Sequence, residues 1–244
     1  DDYSRFILYA VLRKKESSWA HIQALQTVFL RYGLPYAYYV DSHSIFRFVQ
    51  GRDSLWRNHH LLTDETNPQW KQVLDDCQVK VTYALSPQAK GKIERPYGWL
   101  QDRLIRTCVR QDVTEIQQAQ KILNQELNRY NHHQVHSTTL EIPALRFQRA
   151  LQENHSLFRE FKIPPPFQSP KDIFCLRTDR IVDSYRKISL QTLQLKVNGA
   201  TPKKPVNLRI YPLTKELSEI RFWCEGQLID TQKIKNTDLK GVHF

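Results

Sequence analysis

An α/β core followed by a small all-β barrel is the fold class this sequence predicts, and three observations predict it. In the first part, β-prone runs alternate with amphipathic helical stretches in the order strand, helix, strand, helix, strand, helix. At Ile163-Pro164-Pro165-Pro166-Phe167-Gln168-Ser169-Pro170 the chain becomes proline-dense and stiff, a linker by composition. From about Ile173 to Ile234, short β-prone runs alternate with turns, the spacing of a small barrel.

Taken in order, Arg5 to Leu12 is rich in β-branched and aromatic residues and reads as a strand, ended by the charged run Arg13 to Glu16. Ser17 or Ser18 caps a helix through Tyr32 whose apolar face is Trp19, Ile22, Leu25, Val28, Phe29 and Tyr32. Gly33 stops it and Pro35 prevents its continuation. Tyr36 to Val40 is a short buried strand with Asp41 directly after it, and Ser42 to Thr66 is polar, basic and irregular, an inserted loop or flap. Pro68 opens a helix through about Cys77, and Val79 to Leu85 is the next strand. The basic, glycine-containing loop Ser86-Pro87-Gln88-Ala89-Lys90-Gly91-Lys92 runs into a helix reaching about Arg110, with Ile93, Tyr97, Leu100, Leu104 and Cys108 at helical spacing. Thr114 and Gln117 read as a capping box for a further helix ending at Asn131-His132-His133, and Pro143 to Gln152 as one more. The expected domains are a core over 1–152, a linker over 153–172, a barrel over 173–235 and a tail over 236–244.

Bulk properties narrow the function. The 244 residues carry 36 Lys and Arg against 25 Asp and Glu, a formal net charge of +11, which points to a polyanionic partner, most simply nucleic acid. Cys77, Cys108, Cys175 and Cys224 are far apart with no Cys-x-x-Cys, which argues against a zinc knuckle or a disulfide framework and fits a reducing, cytoplasmic setting. No apolar run approaches the ~20 residues that span a bilayer. The chain begins Asp-Asp-Tyr-Ser and contains no methionine, so the expectation is a fragment whose upstream part is missing.

Two carboxylates stand out. Asp41 follows a strand, and in open α/β sheets function gathers at the carboxyl ends of strands. Glu94 lies in the first turn of the helix after the next strand. Each has a plain reading, Asp41 as a turn or cap residue and Glu94 as an acid complementing the helix macrodipole. Together in a basic surround they read as ligands of a hard divalent cation, because neighbouring carboxylates repel unless a cation or proton intervenes.

The runs Asp1-Asp2-Tyr3-Ser4-Arg5, Tyr32-Gly33-Leu34-Pro35, Tyr39-Val40-Asp41 and Ser86 to Arg95, followed by Leu100-Gln101-Asp102-Arg103-Leu104, resemble the integrase core of bacterial insertion-sequence transposases. These are DDE enzymes with a retroviral-integrase-like, RNase H-like fold. The likeness covers roughly residues 1–150, and the β segment after it is similar in layout to the SH3-like barrel that follows this core. The resemblance implies metal-dependent DNA strand cleavage and strand transfer, with two Mg²⁺ (or Mn²⁺) ions held by three carboxylates. It implies double-stranded DNA, transposon ends and target, as partner and a homo-multimer on that DNA. Asp41 matches the second aspartate of the pattern and Glu94 its glutamate. Asp1 and Asp2 match the close of the second strand, so the first catalytic aspartate is expected upstream and residues 1–244 alone are expected to be inactive. Ser42-His43-Ser44 stands where the family more often has Asn-Gly, and the Ser42 to Thr66 insertion lengthens the interval between Asp41 and Glu94. The alternatives are a non-catalytic DNA-binding remnant and a metal-dependent nuclease of the same fold.

Lys90, Lys92, Arg95 and Arg103 are candidates for phosphate contact beside this site, and Gln101, seven residues after Glu94, for contact with the DNA end. A solvated helix surface is the plain alternative. His132, His133 and His136 lack a nearby Cys and read as a loop rather than a metal site. In the barrel, Arg177, Arg180, Arg186, Lys187, Lys196, Lys203 and Lys204 form an expected basic surface for sequence-independent DNA contact.

Overall fold

Ser17 starts the first helix as the serine signal predicts. Its extended backbone lets the side chain accept from the Ala20 N–H, and α1 runs Ser18–Tyr32. Trp19, Ile22, Leu25, Val28 and Phe29 are buried along it. Gly33 closes it at φ +93°, and a Cβ there would meet the Arg159 carbonyl oxygen at 2.4 Å, so only glycine fits. That approach exists because Leu34 and Arg159 exchange both backbone hydrogen bonds (2.7 and 2.9 Å).

The computed structural model describes residues 1–40, 68–84, 91–190 and 193–239. After α1 come β1 (Ala37–Val40), α2 (Gln69–Asp76), β2 (Lys80–Tyr83), α3 (Gly91–Arg110), α4 (Ile116–His132), α5 (Pro143–Gln152) and the short α6 (Pro170–Ile173). Strands β3 (Leu176–Ile181), β4 (Lys187–Leu190), β5 (Leu193–Lys196), β6 (Pro205–Pro212), β7 (Leu217–Cys224) and β8 (Gln227–Lys235) follow. β1 and β2 pair in parallel, Val40 opposite Tyr83, and the Ala84 N–H extends the ladder by donating to Val40 O (2.7 Å). The second sheet is antiparallel in the order β3-β6-β7-β8, and β4 pairs antiparallel with β5 as a separate hairpin.

Three of the elements expected from the sequence are corrected. Arg5 to Leu12 forms no strand. Its backbone bonds to side-chain amides of α4 instead. Asn131 accepts from the Ile7 N–H (2.9 Å) and donates to Ile7 O (3.0 Å), and Gln120 accepts from Leu12 N–H (2.8 Å). β-prone composition needs a neighbouring strand to become a ladder, and among the described residues none lies there. Thr114 does not cap α4, which begins at Ile116 behind Glu115 without a side-chain cap bond. The stripe of α3 is only partly inward. Leu100 is buried, whereas Ile93 and Tyr97 are 67% and 68% exposed.

Two buried clusters organise the molecule. The first joins the α1 face to Leu34, Trp70, Val73, Leu74, Cys77 and Val79, and also to Ile173 and Phe174 from the far side of the proline run. Phe161, Phe167, Leu176 and Tyr211 pack against it, with Phe29 and Phe174 ring centroids 5.9 Å apart and Trp19 edge-on to Tyr211 at 5.7 Å. The second lies inside the C-terminal unit, where Ile188, Leu190 and Leu195 of the hairpin meet Val206, Leu208, Ile210, Ile220 and Phe222 of the sheet.

Ionic contacts cross the seam between these clusters. Asp76 at the end of α2 pairs with Arg177 (2.8 Å) and Arg209 (3.1 Å) of the C-terminal sheet. The Gln69 side chain accepts from Arg177 N–H (2.6 Å) and donates to Arg177 O (2.8 Å). Asp172, fully buried, receives two donors from Arg221 (2.5 and 3.2 Å), the Trp223 indole N–H (3.0 Å) and the Gln168 and Ser169 backbone amides (3.1 and 2.9 Å). Such an acid needs this many donors, because desolvating a carboxylate is expensive unless hydrogen bonds replace its water. The donors bind the segment around α6 to the sheet. Arg177, expected on a basic surface, is therefore buried in the seam.

Candidate functional site

Parallel pairing puts the carboxyl ends of β1 and β2 at the same end of their sheet. β1 ends at Val40, immediately before Asp41 in sequence, and the chain after β2 leads to α3. Asp41 and Lys90 themselves lie outside the described residues. Glu94 sits in the first turn of α3, exposed, where a carboxylate interacts well with the amino end of a helix dipole. Among the described residues it has no ion-pair or hydrogen-bond partner. Pro96, two residues on, has no N–H to return to the Lys92 carbonyl, so this first turn is less tied by backbone bonds than the rest of the helix.

The basic candidates divide. The Lys92 ammonium is bound to Asp2 (2.9 Å), which also pairs with Arg5 (3.1 Å). Partial burial pushes the Asp2 carboxyl up, but Lys92 and Arg5 outweigh it and leave the group below its ordinary 3.8. Arg95 and Gln101 are exposed on α3. The Arg103 guanidinium lies over the Trp99 ring at 5.3 Å, and Trp99 in turn contacts Tyr130 of α4 (5.3 Å), so Arg103 is tied to the α3–α4 seam.

Asp1 is turned away from ligand duty. Its carboxylate accepts from Ser4 N–H (2.7 Å) and from the Ser4 hydroxyl (2.6 Å), closing a turn over a fully buried serine. The histidines have local roles: His132 packs edge-on to Phe6 at 6.0 Å, and His136 Nδ1 accepts from the Thr138 and Thr139 amides (3.2 and 3.4 Å). Burial first, then the charges of Arg5 and Arg95, push the His136 imidazole below its ordinary 6.5, in keeping with an acceptor ring. Among the described residues no group of three or more His, Cys, Asp or Glu side chains is placed to hold a metal ion. The Asp2–Lys92 contact escapes a sequence reading because it spans 90 residues and neither residue breaks a periodic pattern.

No protein-family model matches the chain. The chain is 26% identical over 203 residues to a putative transposase, y4bF, of Sinorhizobium fredii, a match covering 82% of this chain and 39% of that protein. It is 23% identical over 192 residues to the transposase for insertion sequence IS1202 of Streptococcus pneumoniae, covering 78% of this chain and 36% of that one. The chain thus spans under two fifths of the length of these curated relatives. A solved simian T-cell lymphotropic virus intasome, in complex with the PP2A regulatory subunit B56 gamma, aligns over 88% of this chain and 64% of its own at 15% identity and a TM-score of 0.38. The resemblance to transposases read from the integrase-like motifs is borne out by the two curated relatives. Among the described residues no helix is long and apolar enough to cross a membrane.

Proposed function

We propose that this polypeptide is part of a transposase of the integrase-core type, acting in metal-dependent cleavage and transfer of DNA strands. The observation that carries the reading is positional. β1 and β2 end together, and the helix that follows β2 offers in its first turn an exposed carboxylate without a partner among the described residues, beside exposed cationic side chains. An RNase H-like core and an SH3-like barrel are the fold assignments that accompany it, with double-stranded DNA as substrate and a homo-multimer as the working form.

The donor chemistry fits a hard cation. Glu94 and Asp41 would hold Mg²⁺ or Mn²⁺ through carboxylate oxygens, and the bound ions would supply activation of an oxygen nucleophile and stabilisation of the leaving oxygen. Arg95, Gln101 and Lys90 then position the phosphodiester backbone, and Lys92 does so when it leaves Asp2. Asp1 is committed to Ser4 and Asp2 to Lys92 and Arg5, so neither supplies the third carboxylate in this reading. Residues 1–244 by themselves are proposed to bind DNA without joining its ends.

The test is Mn²⁺ binding followed by paramagnetic broadening or calorimetry on the wild type, Asp41→Ala and Glu94→Ala. Each substitution is expected to weaken binding at least about tenfold, the scale of a lost carboxylate contact of ~1.4 kcal/mol or more. Unchanged binding in both variants would remove the metal-site reading and leave a DNA-binding remnant. An assay on pre-cut DNA ends, with a chain of the relatives' length, separates a transposase, which joins them, from a nuclease, which does not.

A further inference from the structure

The hairpin β4–β5 carries an arrangement that folding alone does not favour. Its inner residues Ile188, Leu190 and Leu195 are buried, so the alternate residues Lys187, Ser189, Gln194 and Lys196 face out. The register sets Lys187 directly opposite Lys196. The Val197 N–H donates to Arg186 O (2.9 Å), which makes 186/197 the hydrogen-bonded rung and 187/196 the other kind, in which facing side chains lie closest. Like charges directly opposite on one face destabilise an antiparallel pair.

The nearby acids do not compensate. Asp183 uses its Oδ1 on the Tyr185 and Lys187 backbone amides (2.8 and 2.7 Å). Asp230 uses its oxygens on the Asn198 and Thr231 amides (3.0 and 2.8 Å) and on the Gln232 side chain (2.8 Å). Among the described residues neither Lys187 nor Lys196 has a carboxylate partner. Exposed Arg186 adds a third cation at the base of the hairpin, and Tyr185 beside it is 79% exposed. Two other lysines of this unit are paired, Lys204 to Glu225 (2.5 Å) and Lys171 to Glu219 (2.8 Å), whereas the facing pair on the hairpin is not.

We infer that the outer face of β4–β5, with Arg186 and Tyr185 at its base, is a phosphate-contact surface for duplex DNA. An anionic backbone supplies the counter-charge the fold withholds, while Ser189 and Gln194, paired with each other nearer the turn, add neutral polar groups to the same face. This rests on the nucleic-acid reading above and assigns one place to it.

The 1–244 chain is titrated into a fluorescent 30-base-pair duplex of arbitrary sequence across a salt series. Lys187→Gln with Lys196→Gln is expected to lower affinity by some tens of fold near 0.1 M salt and to flatten the slope of log K against log salt by about 2. Lys233→Gln with Lys235→Gln removes the same charge from exposed positions on β8 and is expected to change affinity less than about threefold. Lys187→Glu, which creates an opposite-charge rung, is expected to raise the melting temperature while weakening binding, so lost affinity cannot be lost folding. Equal loss in the two double variants means net charge alone acts and overturns the assignment. Full affinity in the hairpin variant overturns the assignment and leaves the DNA reading standing. A wild type that binds no duplex overturns both.

Discussion

The two sheets of this molecule meet the same physical requirement to different extents. In the C-terminal unit β6, β7 and β8 are consecutive antiparallel neighbours joined by short turns, and β3 completes the ladder on the other side of β6. One face of that sheet and the inner face of the hairpin close over a shared apolar cluster. In the N-terminal unit β1 and β2 pair in parallel, which needs a long crossover, and each strand exposes alternate residues. Tyr39 is 54% exposed there although parallel sheets are ordinarily covered on both faces. The first unit fills its core from elsewhere, with Ile173 and Phe174 arriving from beyond the proline run and Tyr211 from the other sheet. A sheet assembled from sequence neighbours satisfies itself, whereas a crossover sheet depends on distant segments for both its edges and its faces.

The largest expected effect lies at the seam that lets one unit support the other. Asp172→Ala leaves the Arg221 guanidinium, the Trp223 indole and two amides without their shared acceptor. A loss of about 3–5 kcal/mol is expected, read from urea unfolding followed by tryptophan fluorescence. A loss below ~1 kcal/mol would show that the two units do not lean on this acid.

A smaller effect separates the inner and outer sides of α3. Leu100→Ala, at a buried position, is expected to cost about 2–4 kcal/mol. Tyr97→Ser, one turn earlier on an exposed position, is expected to stay within about 0.5 kcal/mol. Comparable losses would mean that something covers the outer side in solution, and sedimentation of the wild type then tells whether a second copy does.

The smallest effect is in the pH response of the seam. Burial raises the Glu219 carboxyl, but Lys171 and Arg221 outweigh it and leave the group below its ordinary 4.5. A carboxyl lowered by folding adds stability above its unfolded value, and that contribution is lost as pH falls through the folded value. The urea midpoint advantage of wild type over Glu219→Gln is therefore expected to be constant from pH 7 to about 5 and to shrink below about 4.5. An advantage that persists unchanged at pH 3 would contradict the pairing.

Much of the element order was legible in the residues. Ser17, Gly33 and Pro68 mark helix ends through local chemistry, and β3 to β8 all start inside the Ile173 to Ile234 stretch read as short strands and turns. Glu94 at the start of α3 was legible for the same reason, since a turn dipeptide followed by a helical period locates a first turn. Two of the three misread elements share a cause. Arg5 to Leu12 has the composition of a strand, but a ladder is a property of two segments, and here the second is α4 offering Asn131 and Gln120. Ile93 and Tyr97 keep helical spacing with Leu100, but a stripe is buried only as far as a partner extends along it.

By itself the sequence determined what depends on near neighbours: helix caps, strand runs, the excess of positive charge, and the acid that opens α3. Tertiary structure alone decided which charges are spent. It buried Arg177 against Asp76 and paired Arg209 with the same acid, tied Lys92 to Asp2, committed Asp1 to Ser4, and set Lys187 facing Lys196 without a counter-ion among the described residues. Side-chain type gives a residue its charge, but whether that charge is available to a ligand depends on which distant groups the fold brings within a few ångströms.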